Sequence, residues 1–202
     1  QTGTPQKWDL NNGDLSGYNL YLKGDYPVSP ALTLGAVVGL GYGDDDVTQG
    51  AGNANKLRTS GFFYLTEIWE DSIMPDEEGI TPQGLGAPNV RGYRELENTT
   101  ALQVNGSYRA TARLSLSAAA TYLKATQEIP AWTGDTPDYT RTAGDLGREL
   151  DAALTYKLDG GLITELRGGV FLPGDAAGYL INGNAGADDP AWELKALVTA
   201  KF

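Results

Sequence analysis

The sequence predicts an all-β fold: a transmembrane antiparallel up-and-down β-barrel, about seven strands of which are present here as part of a larger barrel. Three observations lead there. Apolar and polar residues alternate through seven stretches of about ten residues, the period of strands with two unlike faces. The connections alternate in length, short at 28–31, 110–113 and 158–161 and long at 44–98, 125–146 and 173–190. Outer-membrane barrels have short periplasmic turns and long extracellular loops. Aromatic residues of the apolar face gather near the strand ends: Tyr18, Tyr42, Tyr122 and Trp192 toward the long connections, and Tyr26, Tyr108, Tyr156 and Phe202 toward the short ones. Two such belts are expected at two membrane interfaces.

The elements follow in order. Residues 1–14 are polar, with the turn-forming cluster Asn11-Asn12-Gly13-Asp14, and read as an irregular lead-in. The first strand is 17–27, with Tyr18, Leu20, Leu22, Gly24 and Tyr26 opposing Asn19, Tyr21, Lys23 and Asp25. The second, 32–43, sets Leu32, Leu34, Ala36, Val38, Leu40 and Tyr42 against Thr33, Gly35 and Val37. The stretch 44–98 reads as one very long extracellular or pore-constricting loop. Its single apolar island, 61–69, fits either a strand or a short helix. Strands follow at 99–109, 114–124, 147–157 and 162–172, and the last, 191–202, runs from Trp192 to Phe202.

The passes number seven, whereas a bacterial single-chain barrel has an even number. Counting 61–69 as an eighth would reverse every earlier strand and scatter the belts. The chain is therefore expected to be the C-terminal portion of a larger barrel. The remaining strands would come from a missing N-terminal part or from another chain, and a homo-oligomer stays open.

Composition excludes several functions. Among 202 residues there are 27 Gly and 11 Tyr but no Cys and no His. Disulfide frameworks and thiolate metal sites are therefore absent, as is the commonest acid–base group. A net charge of -11 disfavours nucleic acid, which is bound through Lys and Arg. No apolar run of about 18 residues exists to make a transmembrane helix, but a barrel strand needs only every second residue apolar.

Four segments carry a resemblance. They are Phe63-Tyr64-Leu65-Thr66-Glu67, Ile73-Met74-Pro75-Asp76-Glu77-Glu78-Gly79, Asp145-Leu146-Gly147-Arg148-Glu149-Leu150-Asp151 and Phe171-Leu172-Pro173-Gly174-Asp175-Ala176. With the terminal strand, the chain resembles the C-terminal part of porin-like proteins related to the alginate-export outer-membrane family. The resemblance implies an outer-membrane β-barrel of more strands than are present here. The terminal Phe202 also resembles the signal read by the barrel-assembly machinery.

The expected function is a porin-like channel in a bacterial outer membrane, passing small hydrophilic solutes or ions by diffusion. The alternative is a structural or interaction barrel around a partner protein. The polar face supplies the expected pore lining: Lys23, Asp25, Glu149, Asp151, Lys157, Glu165, Arg167, Glu193 and Lys195, with Lys201. Rings of charged side chains set ion selectivity in pores, although such charges also pair across strands and stiffen the wall. Glu67, Glu70, Asp71, Arg91 and Arg94 are the expected constriction-loop residues, meeting inside the bore where the loop folds inward. Asp44-Asp45-Asp46 and Asp76-Glu77-Glu78 offer oxygen ligands for Ca²⁺, but neither has EF-hand spacing, so solvated acidic loop tips are expected. Enzymatic activity and a cofactor are not expected. A carboxylate pair working as glycosidase acid and nucleophile has no dedicated pocket in the pattern.

Overall fold

The structure is a computed structural model, and it describes residues 17–43, 65–69, 98–133, 136–186 and 189–200. Seven strands form one antiparallel sheet in chain order. They are β1 (Asn19–Pro27), β2 (Leu32–Gly41), β3 (Thr99–Arg109), β4 (Leu114–Thr133), β5 (Thr136–Lys157), β6 (Leu162–Pro173) and β7 (Ala191–Ala200). The sheet is open: β1 and β7 are its two edges. None of the described helices is long and apolar enough to cross a membrane, which says nothing of crossing by strands.

Register makes the two faces continuous. One row of paired residues runs Gly24, Ala36, Val104, Ala120, Leu150, Val170, Trp192. The adjacent row on the other face runs Asp25, Gly35, Asn105, Ala119, Asp151, Gly169, Glu193. A slip of one residue would exchange the rows. The apolar face lies bare: Val104 is 64% exposed, Leu150 53%, Leu194 65% and Val198 68%. The two described segments that fold back on the sheet both pack on its polar side.

The aromatic residues step diagonally across this register. Tyr26 pairs with Leu34, which pairs with Gly106, so Tyr26 lies two residues from Tyr108 on β3. Tyr108 pairs with Leu116, which pairs with Leu154, again two residues from Tyr156 on β5. A drift of one residue per strand is about 3.3 Å for every 4.8 Å of strand spacing, an inclination of about 35°. The other belt drifts in the same sense. Trp192 connects through Val170 and Leu150 to Ala120, two residues from Tyr122.

Two of the short turns share one device. Ser29 Oγ accepts from the backbone of Ala31 and Leu32 at 3.2 and 3.0 Å. Thr111 Oγ1 does the same for Arg113 and Leu114 at 3.1 and 3.0 Å. Hydroxyl side chains that bond the backbone two or three residues on favour turns. The third turn is a single 3-10 turn at Asp159–Gly161, with Gly160 and Gly161 at φ 79° and 81°, a conformation glycine adopts without steric cost. Arg113 and Asp159 join the second and third turns at 2.7 Å.

The long connections differ from expectation. The loop expected over 125–146 is a hairpin: β4 runs on to Thr133 and β5 begins at Thr136. Beyond Ala125 on one side and Gly147 on the other, no third strand flanks it among the described residues. Pro130 and Pro137 are therefore tolerated in a two-stranded ribbon whose register already shifts at Leu123/Lys124, Lys124/Ile129 and Pro130/Ala131. The loop expected over 173–190 contains an eight-residue helix, α1 (Asp175–Asn182), which ends on Gly183 at φ 76°. A left-handed glycine is a common helix stop. In the 61–69 island, residues 65–69 form a turn rather than a strand. Phe202, Lys201 and the 1–14 lead-in lie outside the described residues, as do Asp44-Asp45-Asp46 and Asp76-Glu77-Glu78.

Candidate functional site

The site is built where Leu65–Trp69, from the connection between β2 and β3, lands on the polar face. Glu149 receives it. This glutamate is 1% exposed, and its carboxylate accepts from the backbone N–H of Ile68 at 2.6 Å and of Trp69 at 2.9 Å. The neighbouring carboxylate on the same strand face, Asp151, bonds the backbone of Glu67. Successive N–H groups of one tight segment thus turn toward two acids on β5. A run of backbone N–H groups forms a concave site for negative charge, and here the Glu149 carboxylate of the sheet fills it. Isolated burial of a carboxylate would be costly; charge-assisted bonds to backbone N–H groups offset it.

A second anion works in the reverse direction. Arg167 on β6 pairs directly with Lys195 on β7, a like-charge juxtaposition that destabilises a sheet by itself. Glu67 meets both cations, at 3.4 Å from Arg167 and 3.9 Å from Lys195. Glu165 flanks Arg167 at 3.8 Å, and Glu193 flanks Lys195 at 2.5 Å. The five form a ladder of alternating sign across β6, β7 and the incoming segment. Each member is about a quarter to a third exposed at its side chain, so each pair contributes little alone and the network matters more.

Apolar and amide contacts complete the seat. Trp69 stacks on Phe171 with ring centroids 5.0 Å apart. Gln103 donates to the Leu65 carbonyl at 2.7 Å and to Thr121 Oγ1 at 3.0 Å. Its own carbonyl accepts from Asn105 at 3.2 Å. Ile68 and Trp69 continue into a buried cluster with Leu123, Ile129, Leu146, Phe171 and Leu180. At the long-connection end the polar face is thus apolar and filled, because α1 folds onto it. Trp132 fastens α1 there: its Nε1–H donates to the Tyr179 carbonyl at 2.5 Å, and its backbone N–H donates to Gly183 at 3.0 Å.

Between the seated segment and the wall of β1 to β5 lies an open cavity of about 530 Å³. Its polar lining includes Lys23, Asp25, Gln103, Asn105, Glu67 and Asp151. Lys23 and Asp25 pair at 3.6 Å. Ser107, Ser117, Ala119 and Ala153 keep the wall low on the central strands.

The structure thus brings together Glu67, Glu149, Asp151, Glu165, Arg167, Glu193 and Lys195. Lys157 lies apart, at the short-turn end of β5 opposite Ile163. Glu149 departs from the expected role, because its carboxylate is sealed beneath the segment and faces backbone rather than open space. Among the described residues Glu67 meets Arg167 and Lys195; Arg91, Arg94, Glu70 and Asp71 lie outside the described residues. The pairing of Glu149 with residues 68 and 69 spans about 80 positions, and strand alternation carries no signal for such a contact. The chain matches no family model and no curated protein.

Proposed function

We propose that this chain is part of the wall of a porin-like outer-membrane β-barrel, and that the barrel passes small hydrophilic solutes or ions. The observation that carries the reading is the diagonal pair of aromatic belts on a bare apolar face. The belt at the short turns is inclined by about 35°, within the strand tilt of transmembrane barrels, about 35–45°, and the belt at the long connections leans the same way by a smaller drift. A belt that lies level in a membrane must cross tilted strands obliquely, so belt drift and strand tilt are one quantity. The polar face then borders water, and a segment of the longest connection seated on that face narrows the bore. The resemblance to porin-like relatives of the alginate-export family fits this reading.

The open edges extend it. In hydrocarbon, each unsatisfied backbone group on β1 or β7 costs several kcal/mol, so further strands close the sheet. β1 and β7 run in the same direction, since six antiparallel pairings link them in order. Antiparallel closure therefore needs an odd number of additional strands. Two copies inserted with the same orientation would meet along parallel seams, which disfavours a barrel shared by identical chains. The test is conductance of the closed assembly in a planar bilayer. Stepwise channel insertions are expected; a folded, inserted assembly that leaves the bilayer sealed overturns the channel reading. A stoichiometric protein lodged in the bore would favour a scaffolding barrel instead.

A further inference from the structure

We propose that Glu149, with Asp151 beside it, is the positioning group that fixes Leu65–Trp69 as a stationary wall of the passage, and that this anchored segment sets the size limit for solutes. The proposal rests on the channel reading above and adds to it a named determinant and a mechanical claim: the narrowing is a fixed filter, not a moving gate.

The attachments make the case. They come from four strands: Gln103 on β3, Glu149 and Asp151 on β5, Phe171 on β6 with Arg167, and Lys195 on β7. They are also of different kinds, so no single change of solvent or salt releases them together. The ladder around Glu67 is partly exposed and screened by salt. The Glu149 bonds are sealed and charge-assisted, and they hold in high salt. Glu149 is also the member whose loss leaves the most behind. Without it, the buried N–H groups of Ile68 and Trp69 lose the carboxylate that accepts from them, and a buried donor that loses its acceptor is the costly case. The segment would have to lift to find water. Lifting it opens the cavity beneath, about 530 Å³ between the segment and the wall, to the rest of the bore. Thr66, 3% exposed within the segment, would be uncovered by the same movement.

The experiment uses the closed assembly purified from membranes, with folding checked by heat-modifiable mobility. Two readouts are taken on wild type, Glu149→Ala, Glu149→Gln and Trp69→Ala. One is planar-bilayer conductance with poly(ethylene glycol)s of graded size, which reports the largest polymer that enters. The other is maleimide labelling of Thr66→Cys introduced into each variant, read against the same variant without the introduced cysteine; these 202 residues hold no other cysteine. Glu149→Ala is expected to admit larger polymers and to raise the labelling rate by about tenfold or more. Glu149→Gln should fall between, since its amide oxygen still accepts one N–H. Trp69→Ala, which removes the Phe171 stack and leaves Glu149 in place, should shift both readouts in the same direction and guards against a Glu149 variant that fails to fold. Wild-type current with an unchanged polymer limit in all folded variants overturns the proposal and leaves the channel reading standing. Faster labelling in a protein that carries no current overturns the channel reading, and the size-limit claim with it.

Discussion

Replacing Val104 by arginine separates a lipid-facing sheet from one in water. Val104 lies on β3, four residues from Tyr108, between Ala36 on β2 and Ala120 on β4. It is 64% exposed. In water, so open a position tolerates substitution to within about ±0.5 kcal/mol. Facing the middle of a bilayer, arginine on a barrel exterior costs about 2–4 kcal/mol, falling to about 0–1 near the interfaces. Its small neighbours, Ala36 and Ala120, give the guanidinium no partner, and reaching the headgroups from between the belts takes most of the side chain's length. The folded-to-unfolded ratio should fall by about one and a half to three powers of ten. The assay is denaturant unfolding of lipid-inserted protein, with Ser107→Arg on the opposite face as the control. The control should change stability by less than about 1 kcal/mol and leave the slope unaltered. Equal stabilities for Val104→Arg, Ser107→Arg and wild type would refute the reasoning.

Other outcomes follow from single contacts. Gly147 holds φ at 136°, and a Cβ there would stand 2.4 Å from the Leu172 carbonyl and 2.9 Å from the Phe171 ring; Gly147→Ala should cost about 1–3 kcal/mol in denaturant midpoint. Trp132→Phe removes the indole donor from the Tyr179 carbonyl, so it should destabilise α1 by about 1 kcal/mol and speed proteolytic cleavage within 173–190. Asp138, on the ribbon beyond the sheet, accepts from Thr140 N–H and Oγ1 at 3.0 and 2.6 Å and from Arg141 Nε at 2.8 Å. The Thr140 hydroxyl first, and then Arg141, hold its carboxyl at about 2, below the ordinary 3.8. Because the folded value is the lower one, its contribution to local order is complete above the ordinary value and is lost as pH falls from there toward 2. Hydrogen exchange at Thr140 and Arg141 should accelerate across that window, and Asp138→Asn should abolish the pH dependence; acceleration that persists in the variant contradicts the assignment.

The strands were legible because a two-residue period leaves a mark at every position. Leu32–Gly41 and Thr99–Arg109 announce themselves by alternation alone. The ribbon of β4 and β5 beyond the sheet was not, since Pro130, Trp132, Gly134 and Pro137 carry turn chemistry and its register shifts interrupt the period. Helix α1 was hidden by its eight residues and by Gly178 within it, although Gly183 stood at its stop. At the site, the polar face and its charges could be read, including Glu149 and Arg167 as residues of that face. The pairing could not: Glu67 stood out as a loop residue, but it and the N–H groups beside it arrive from a connection with no periodicity, and the Arg167–Lys195 juxtaposition becomes visible only once register is known. A like-charge pair directly opposed across two strands is itself a sign that an anion arrives from elsewhere.

The most direct test places spin labels one residue at a time along β3, from Leu102 to Ser107, in the bilayer-inserted assembly, and measures collisions with dissolved oxygen and with a water-soluble nickel chelate. Oxygen should win at 102, 104 and 106, most strongly at 104, and the chelate at 103, 105 and 107. Chelate access at 104 equal to that at 105 would contradict the account.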